Sequence, residues 1–208
     1  MPRKFERLTR RIRACRLCIE APRGRPLPHE PRPVFQASST ARLLIAGQAP
    51  GTRVHASGRP FTDPSGVRLR QWLGMDETLF YDERRVAVVP MGFCFPGQNA
   101  KGADLPPRRE CAPAWRDELM SHLSAIELIV CLGRPAQLWH MGDLAGADVT
   151  AAVRNWRLAL ALRPRVLPLP HPSWRNNAWL KKHPWFTDEL LPVLRQEIAA
   201  LFPAHGSS

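Results

Sequence analysis

Acidic residues are scarce and long apolar runs are missing. Against 30 Lys and Arg the 208-residue chain sets only 18 Asp and Glu, a formal charge of +12, so much of its surface must present positive potential. Nucleic acid is the commonest partner for such a field, although a soluble arginine-rich protein is the ordinary alternative, because the basic residues are scattered from Arg3 to Arg195. No run of about 18 consecutive apolar residues occurs, which excludes a membrane-spanning helix, and Met1–Arg13 is polar and charged, without an apolar stretch of signal-peptide length. A cytoplasmic monomer with no membrane partner is therefore expected. A G-x-G-x-x-G turn and a Walker lysine are both absent after the first apolar run, so neither dinucleotide binding nor phosphate cradling is supported. Also absent is the H-x-E and P-C-x-x-C pair of zinc nucleobase deaminases. Cysteine occurs five times, at Cys15, Cys18, Cys94, Cys111 and Cys131, which in a reducing compartment is no disulfide framework. Cys15 and Cys18 have the C-x-x-C spacing of metal or redox sites.

What is present reads as one domain over 1–208, since a domain takes about 100–200 residues. Its first 40 residues form an arm and 41–203 a compact α/β body. Phe5, Leu8 and Ile12 recur at near-helical spacing between basic residues, which predicts an amphipathic helix over Phe5–Ala14. Pro22, Pro26, Pro28, Pro31 and Pro33 then crowd an extended surface loop. Short apolar runs at Arg42–Gly47, Arg85–Val89, Glu127–Leu132 and Arg165–Leu169 predict strands buried on both faces. Helices are predicted between and after them at Gly66–Leu73, Ala112–Ser124, Arg134–Met141, Thr150–Leu160 and Phe186–Leu201. Alternation of this kind gives a three-layer αβα fold around a central, mainly parallel four-stranded sheet. Ligands of such sheets bind outside the carboxyl ends of the strands, where the loops converge.

Those loops contain Gly47-Gln48-Ala49-Pro50-Gly51, then Gly58-Arg59-Pro60-Phe61-Thr62-Asp63-Pro64-Ser65-Gly66, and finally Leu169-Pro170-His171-Pro172-Ser173. In this order they resemble the uracil-DNA glycosylase superfamily, in which a G-x-x-P-G loop and an H-P-S loop face each other across a base pocket. The likeness runs over about residues 10–200. It is nearest to the thermophile-type branch that carries an iron–sulfur cluster, with G-E-x-P-G followed by G-R-P-F, and it shares features with a branch reading G-R-x-F-T-G-D-x-S-G. The resemblance implies a DNA repair enzyme acting on single- or double-stranded DNA. It would flip out uracil, or another deaminated base, and hydrolyse the bond between base and sugar.

The reaction explains the residue types. A base inside a duplex must be extruded, stacked on an aromatic face and read along its Watson–Crick edge. Bond breakage then builds positive charge on the sugar and negative charge on the base, to be met by a carboxylate and a donor on opposite sides. Phe61 matches the stacking aromatic, the alternative being an ordinary core residue. Gly47, Ala49, Pro50 and Ser173 would line the pocket, and His171 is the candidate donor. Gln48 stands where the iron–sulfur branch has Glu, and Ala49 where the main uracil enzymes have Asp. Gln48 cannot ionise but can orient water or the base edge. Asp63 is the nearest motif carboxylate, either acting on the cation or water or simply capping the next helix. Pro90 occupies the place of an Asn that reads uracil's amide edge, so that edge falls to backbone groups near Met91–Phe93 or to Asn99.

Cys15, Cys18, Cys94 and Cys111 match the ligand order of the iron–sulfur branch, and four thiolates suit a 4Fe–4S cluster or a structural zinc. Cys131, inside an apolar run, is read as a buried small hydrophobe. After the H-P-S triplet, Trp174, Arg175 and Asn176 are placed to fill the space left by a flipped base, and Lys181 and Lys182 to meet phosphate. Trp179 and Trp185 are read as anchors of that loop. A non-catalytic DNA-binding protein with a four-cysteine metal site is the rival to the enzyme.

Overall fold

In the computed structural model, which describes residues 2–203, the arm holds α1 (Pro2–Arg13) and α2 (Leu17–Glu20). The body continues with β1 (Leu43–Ala46), α3 (Thr52–Ser57), α4 (Pro64–Leu73), α5 (Glu77–Phe80) and β2 (Val86–Val88). Next come α6 (Cys111–Ser121), β3 (Leu128–Leu132), α7 (Arg134–Met141), α8 (Val149–Arg154), α9 (Trp156–Leu160) and β4 (Arg165–Leu169). The chain ends on α10 (Asn177–Lys182) and α11 (Leu191–Leu201). The strands form one sheet in the order β2-β1-β3-β4, and every pairing is parallel.

Alternate strand residues point to opposite faces, and both faces are covered. Leu44, Ala46, Ile129, Cys131 and Val166 pack with Leu8 and Ile12 of α1 and Leu119 of α6. Leu43, Ile45, Leu128, Val130 and Leu167 pack with Leu69 and Leu73 of α4 and Leu194 and Ile198 of α11. Each Leu, Ile or Val among them contributes roughly 1.5–3 kcal/mol on full burial. The result is the three-layer α/β arrangement expected from the apolar runs, and Cys131 is a fully buried core residue. Along the β2 edge, Gln36 of the arm pairs with Val88, and its side-chain amide donates to Phe80 and Val86 carbonyls at 3.1 and 2.8 Å. That contact covers an edge otherwise open to pairing.

Helix limits differ from expectation where local chemistry intervenes. The helix expected over Thr150–Leu160 is two, α8 and α9, broken at Asn155, whose side-chain amide donates to the Leu144 carbonyl at 2.9 Å. The last helix opens with a π turn, Phe186–Leu190, before α11. Pro192 in the first turn of α11 has no N–H to return to the preceding turn. Short α3, α5 and α10 have too few residues to show a periodic pattern. Among the described residues no helix is long and apolar enough to cross a membrane.

Candidate active site

The loops leaving the carboxyl ends of the strands surround a cleft of about 810 Å³. Its walls include Gly47, Gln48, Ala49 and Pro50 after β1, Phe61 and Asp63 before α4, and His171 and Ser173 after β4. The loops after β1 and β2 are zipped together, because the Met91 and Gly92 N–H groups donate to the Gly47 and Gln48 carbonyls at 2.9 and 2.8 Å. The Phe93 N–H donates to Cys111 Sγ at 3.3 Å. All three backbone donors at Met91–Phe93 are thus spent on the protein itself, which corrects the expectation that they read a base edge. Beneath them the Arg116 guanidinium, 1% exposed, donates to the Val89 and Pro90 carbonyls at 3.2 Å and fixes the cleft floor. Its other nitrogen lies 2.5 Å from His140 Nε2. Burial pushes the His140 imidazole down to about 3, so that ring is neutral and accepts.

Phe61 has a left-handed backbone, φ +53°, which a residue with a bulky side chain adopts only when its surroundings dictate it. Its surroundings do so. The single Tyr81 hydroxyl lies 2.9 Å from the Pro60 carbonyl and 3.1 Å from that of Phe61, and Arg70 also donates to the Phe61 carbonyl at 3.3 Å. Gly66 leaves room for that carbonyl to approach α4. The Phe61 ring meets the edge of buried Phe80 at 6.1 Å between centroids and closes one wall of the cleft. It is therefore a core contact and a cleft face at once. Asp63 likewise has two placements, lining the cleft while its Oδ1 accepts from the Gly66 N–H at 3.2 Å as the cap of α4.

His171 is half-buried opposite these residues. Burial lowers its pKa, while Asp63 and Asp104 act in the opposite direction. Its loop is braced from two sides. Asn176 donates its side-chain amide to the His171 carbonyl at 2.7 Å, and Arg68 of α4 donates to the Ser173 carbonyl at 3.1 Å and to Asn177 Oδ1 at 2.8 Å. Asn176, expected to enter DNA, instead holds the loop. Trp174 projects from it, 70% exposed at the lip of the cleft, with Arg175 alongside. Trp179 anchors the segment through Thr150 Oγ1, 2.9 Å from its indole nitrogen.

A family model described as the uracil DNA glycosylase superfamily matches residues 34–195. The chain belongs to that superfamily. Of the residues expected to line the base pocket, Asn99 alone does not line the cleft. Asn99 turns its carboxamide oxygen to the Lys101 and Ala103 N–H groups, at 2.9 and 3.0 Å, and so closes its own turn. Lys181 and Lys182 are exposed at the end of α10. Conversely, Asp104 lines the cleft and had no motif to reveal it. Its position depends on a small hairpin whose strands are single residues, Gln98 and Asp104.

The four cysteines of the arm and the β2 loop share one neighbourhood in this glycosylase. Cys18 and Cys94 pack in one apolar cluster with Leu27, and the Trp115 indole N–H donates to Cys15 Sγ at 3.2 Å. Burial, with other cysteines close by, pushes the thiols of Cys94 and Cys111 up to about 12. Among the described residues no three His, Cys, Asp or Glu side chains gather closely enough to hold a single metal ion.

Proposed function

We propose that this glycosylase excises uracil from DNA by hydrolysis, leaving an abasic site. The observation that carries the reading is that half-buried His171 and Phe61 line one cleft, with exposed Trp174 at its lip. Trp174 inserts into the stack where the base has left, Phe61 receives the base on its ring face, and Arg175 meets the backbone phosphate. Gln48 reads the amide edge, because its carboxamide offers both a donor and an acceptor to uracil's alternating groups. His171, kept neutral by burial, donates to the base carbonyl as negative charge collects there. Asp63, which lines the cleft, orients water or faces the sugar cation.

The test is a uracil-containing oligonucleotide, single- and double-stranded, followed by alkali. Strand breakage at the uracil is the expected result. No breakage at high enzyme excess leaves DNA binding without catalysis.

The four cysteines fit a 4Fe–4S cluster better than a single zinc ion. N–H donors already point at two of the sulfurs, those of Cys111 and Cys15, as suits thiolates that hold a cluster. Bound there, the cluster would supply positive charge that draws the protons from buried thiols and would cross-link the arm to the β2 loop. Purified protein should be brown, with absorption near about 400 nm, and Cys94→Ala should lose the colour. A colourless protein with one equivalent of zinc would refute the cluster.

A further inference from the structure

Breaking the glycosidic bond builds positive charge on the sugar, yet the loop Gly47–Gly51 carries no anion to face it. Gln48 is neutral, and its side chain is wedged against Gly133, where an added Cβ would lie 2.2 Å from Nε2. Two carboxylates line the cleft together with His171, those of Asp63 and Asp104, and both act to raise the His171 pKa against its burial. Asp63 commits one oxygen to capping α4. Asp104 comes from a different element of the cleft, at the end of the hairpin described above. The Leu105 N–H donates to the Gly97 carbonyl and the Asn99 N–H to the Ala103 carbonyl, both at 2.9 Å, which fixes the hairpin's shape. Gln98 Nε2 donates to Asp104 Oδ1 at 3.0 Å, so the carboxylate is oriented on one side. The other oxygen lies against the first loop, 3.1 Å from where a Cβ on Gly51 would stand. Asp104 therefore delivers, from a different element, negative charge to the loop that has none of its own.

We propose that Asp104 is a catalytic carboxylate of this site, facing the sugar cation and accepting a proton from the attacking water, with Gln98 as its positioning residue. The proposal rests on the glycosidase reading above. In the step, the C1′–N bond breaks and its electron pair leaves with the base. Water adds its oxygen to C1′, one of its protons passes to Asp104 and on to solvent, and the base anion takes up a proton from solvent. A full negative charge at this place is worth most once DNA has excluded water from the cleft.

Single-turnover excision from a uracil-containing duplex tests it with Asp104→Asn, Asp104→Glu and Gln98→Ala, alongside DNA affinity and an NMR titration of the His171 ring. Asp104 is exposed, so these variants should fold. Asp104→Asn should slow the chemical step by about 30-fold or more, with DNA affinity unchanged or tighter. Asp104→Glu should recover part of the rate, and Gln98→Ala should lose less than Asp104→Asn. The His171 titration should move to lower pH in Asp104→Asn, because a neighbouring anion has gone. Tighter binding at the full wild-type rate would make Asp104 a mere repeller of phosphate and overturn the proposal. An unmoved His171 titration would overturn it as well. A wild-type protein inert toward every lesion overturns the glycosidase reading and this proposal together, whereas an active wild type with an equally active Asp104→Asn overturns this proposal alone.

Discussion

His171→Ala should lower the single-turnover rate of base release by about 10²–10³, the scale of one donor to a developing anion, with DNA affinity little changed. The separation follows from geometry. His171 is half-buried in the cleft, whereas Trp174 and Arg175 are exposed at its lip, and the proposed reading gives them the contact with DNA. A loss of affinity matching the loss of rate would make His171 a binding residue. The pH profile of kcat/KM gives a second check, since it reports groups of the free enzyme. Burial holds the His171 pKa below the ordinary value of about 6.5. The neutral ring should therefore persist through pH 6.5, and the acid limb should begin below it. As the imidazolium forms, it pairs with Asp63 and Asp104 and cancels charge that the sugar cation needs. An acid limb above pH 6.5 would contradict this assignment.

Among the described glycines, Gly66→Ala should be the most damaging substitution. In an exposed helix Ala gains up to about 1 kcal/mol over Gly, so propensity alone predicts stabilisation. Here an added Cβ would stand 1.8 Å from the Phe61 carbonyl oxygen and 2.6 Å from its carbon. These are backbone atoms already fixed by Tyr81 and Arg70, so relief requires moving the segment that carries the ring. Overpacking of this kind costs about 1–3 kcal/mol and outweighs the propensity gain. A fall of roughly 2–4 °C in Tm per kcal/mol is expected for a chain of this size, along with at least a tenfold rise in KM as Phe61 leaves its place. Unchanged Tm and KM would show that Phe61 needs no such packing.

The sheet was legible because each strand is buried on both faces, and double burial leaves an uninterrupted apolar run with little else in it. The motif loops were legible because their residues are adjacent in sequence. What escaped depends on contacts between distant residues or on backbone shape. Pairing of Gln98 with Asp104, and thus a carboxylate in the cleft, comes from a hairpin with no alternating pattern. The buried Arg116–His140 pair joins positions on two helices 24 residues apart, each unremarkable alone. Asn99 is an amide in a loop and was assigned to the base edge, but its short side chain satisfies its own turn first. Left-handed Phe61 carries no mark in sequence, since its φ is set by Tyr81, Arg70 and the missing Cβ of Gly66.

Helix α4 touches both halves of the site. Its N-terminal end holds Asp63 and the close approach to Phe61, and one turn later Arg68 grips the loop that bears Trp174. On the proposed reading, the ring that receives a base and the side chain that replaces it in the duplex are therefore both held by α4. For protein engineering this makes specificity and lesion search a single trait: a variant that shifts α4 to admit a larger base also shifts that side chain. New substrates are more accessible through the hairpin and the first loop, which meet the cleft without being fastened to the H-P-S loop by Arg68.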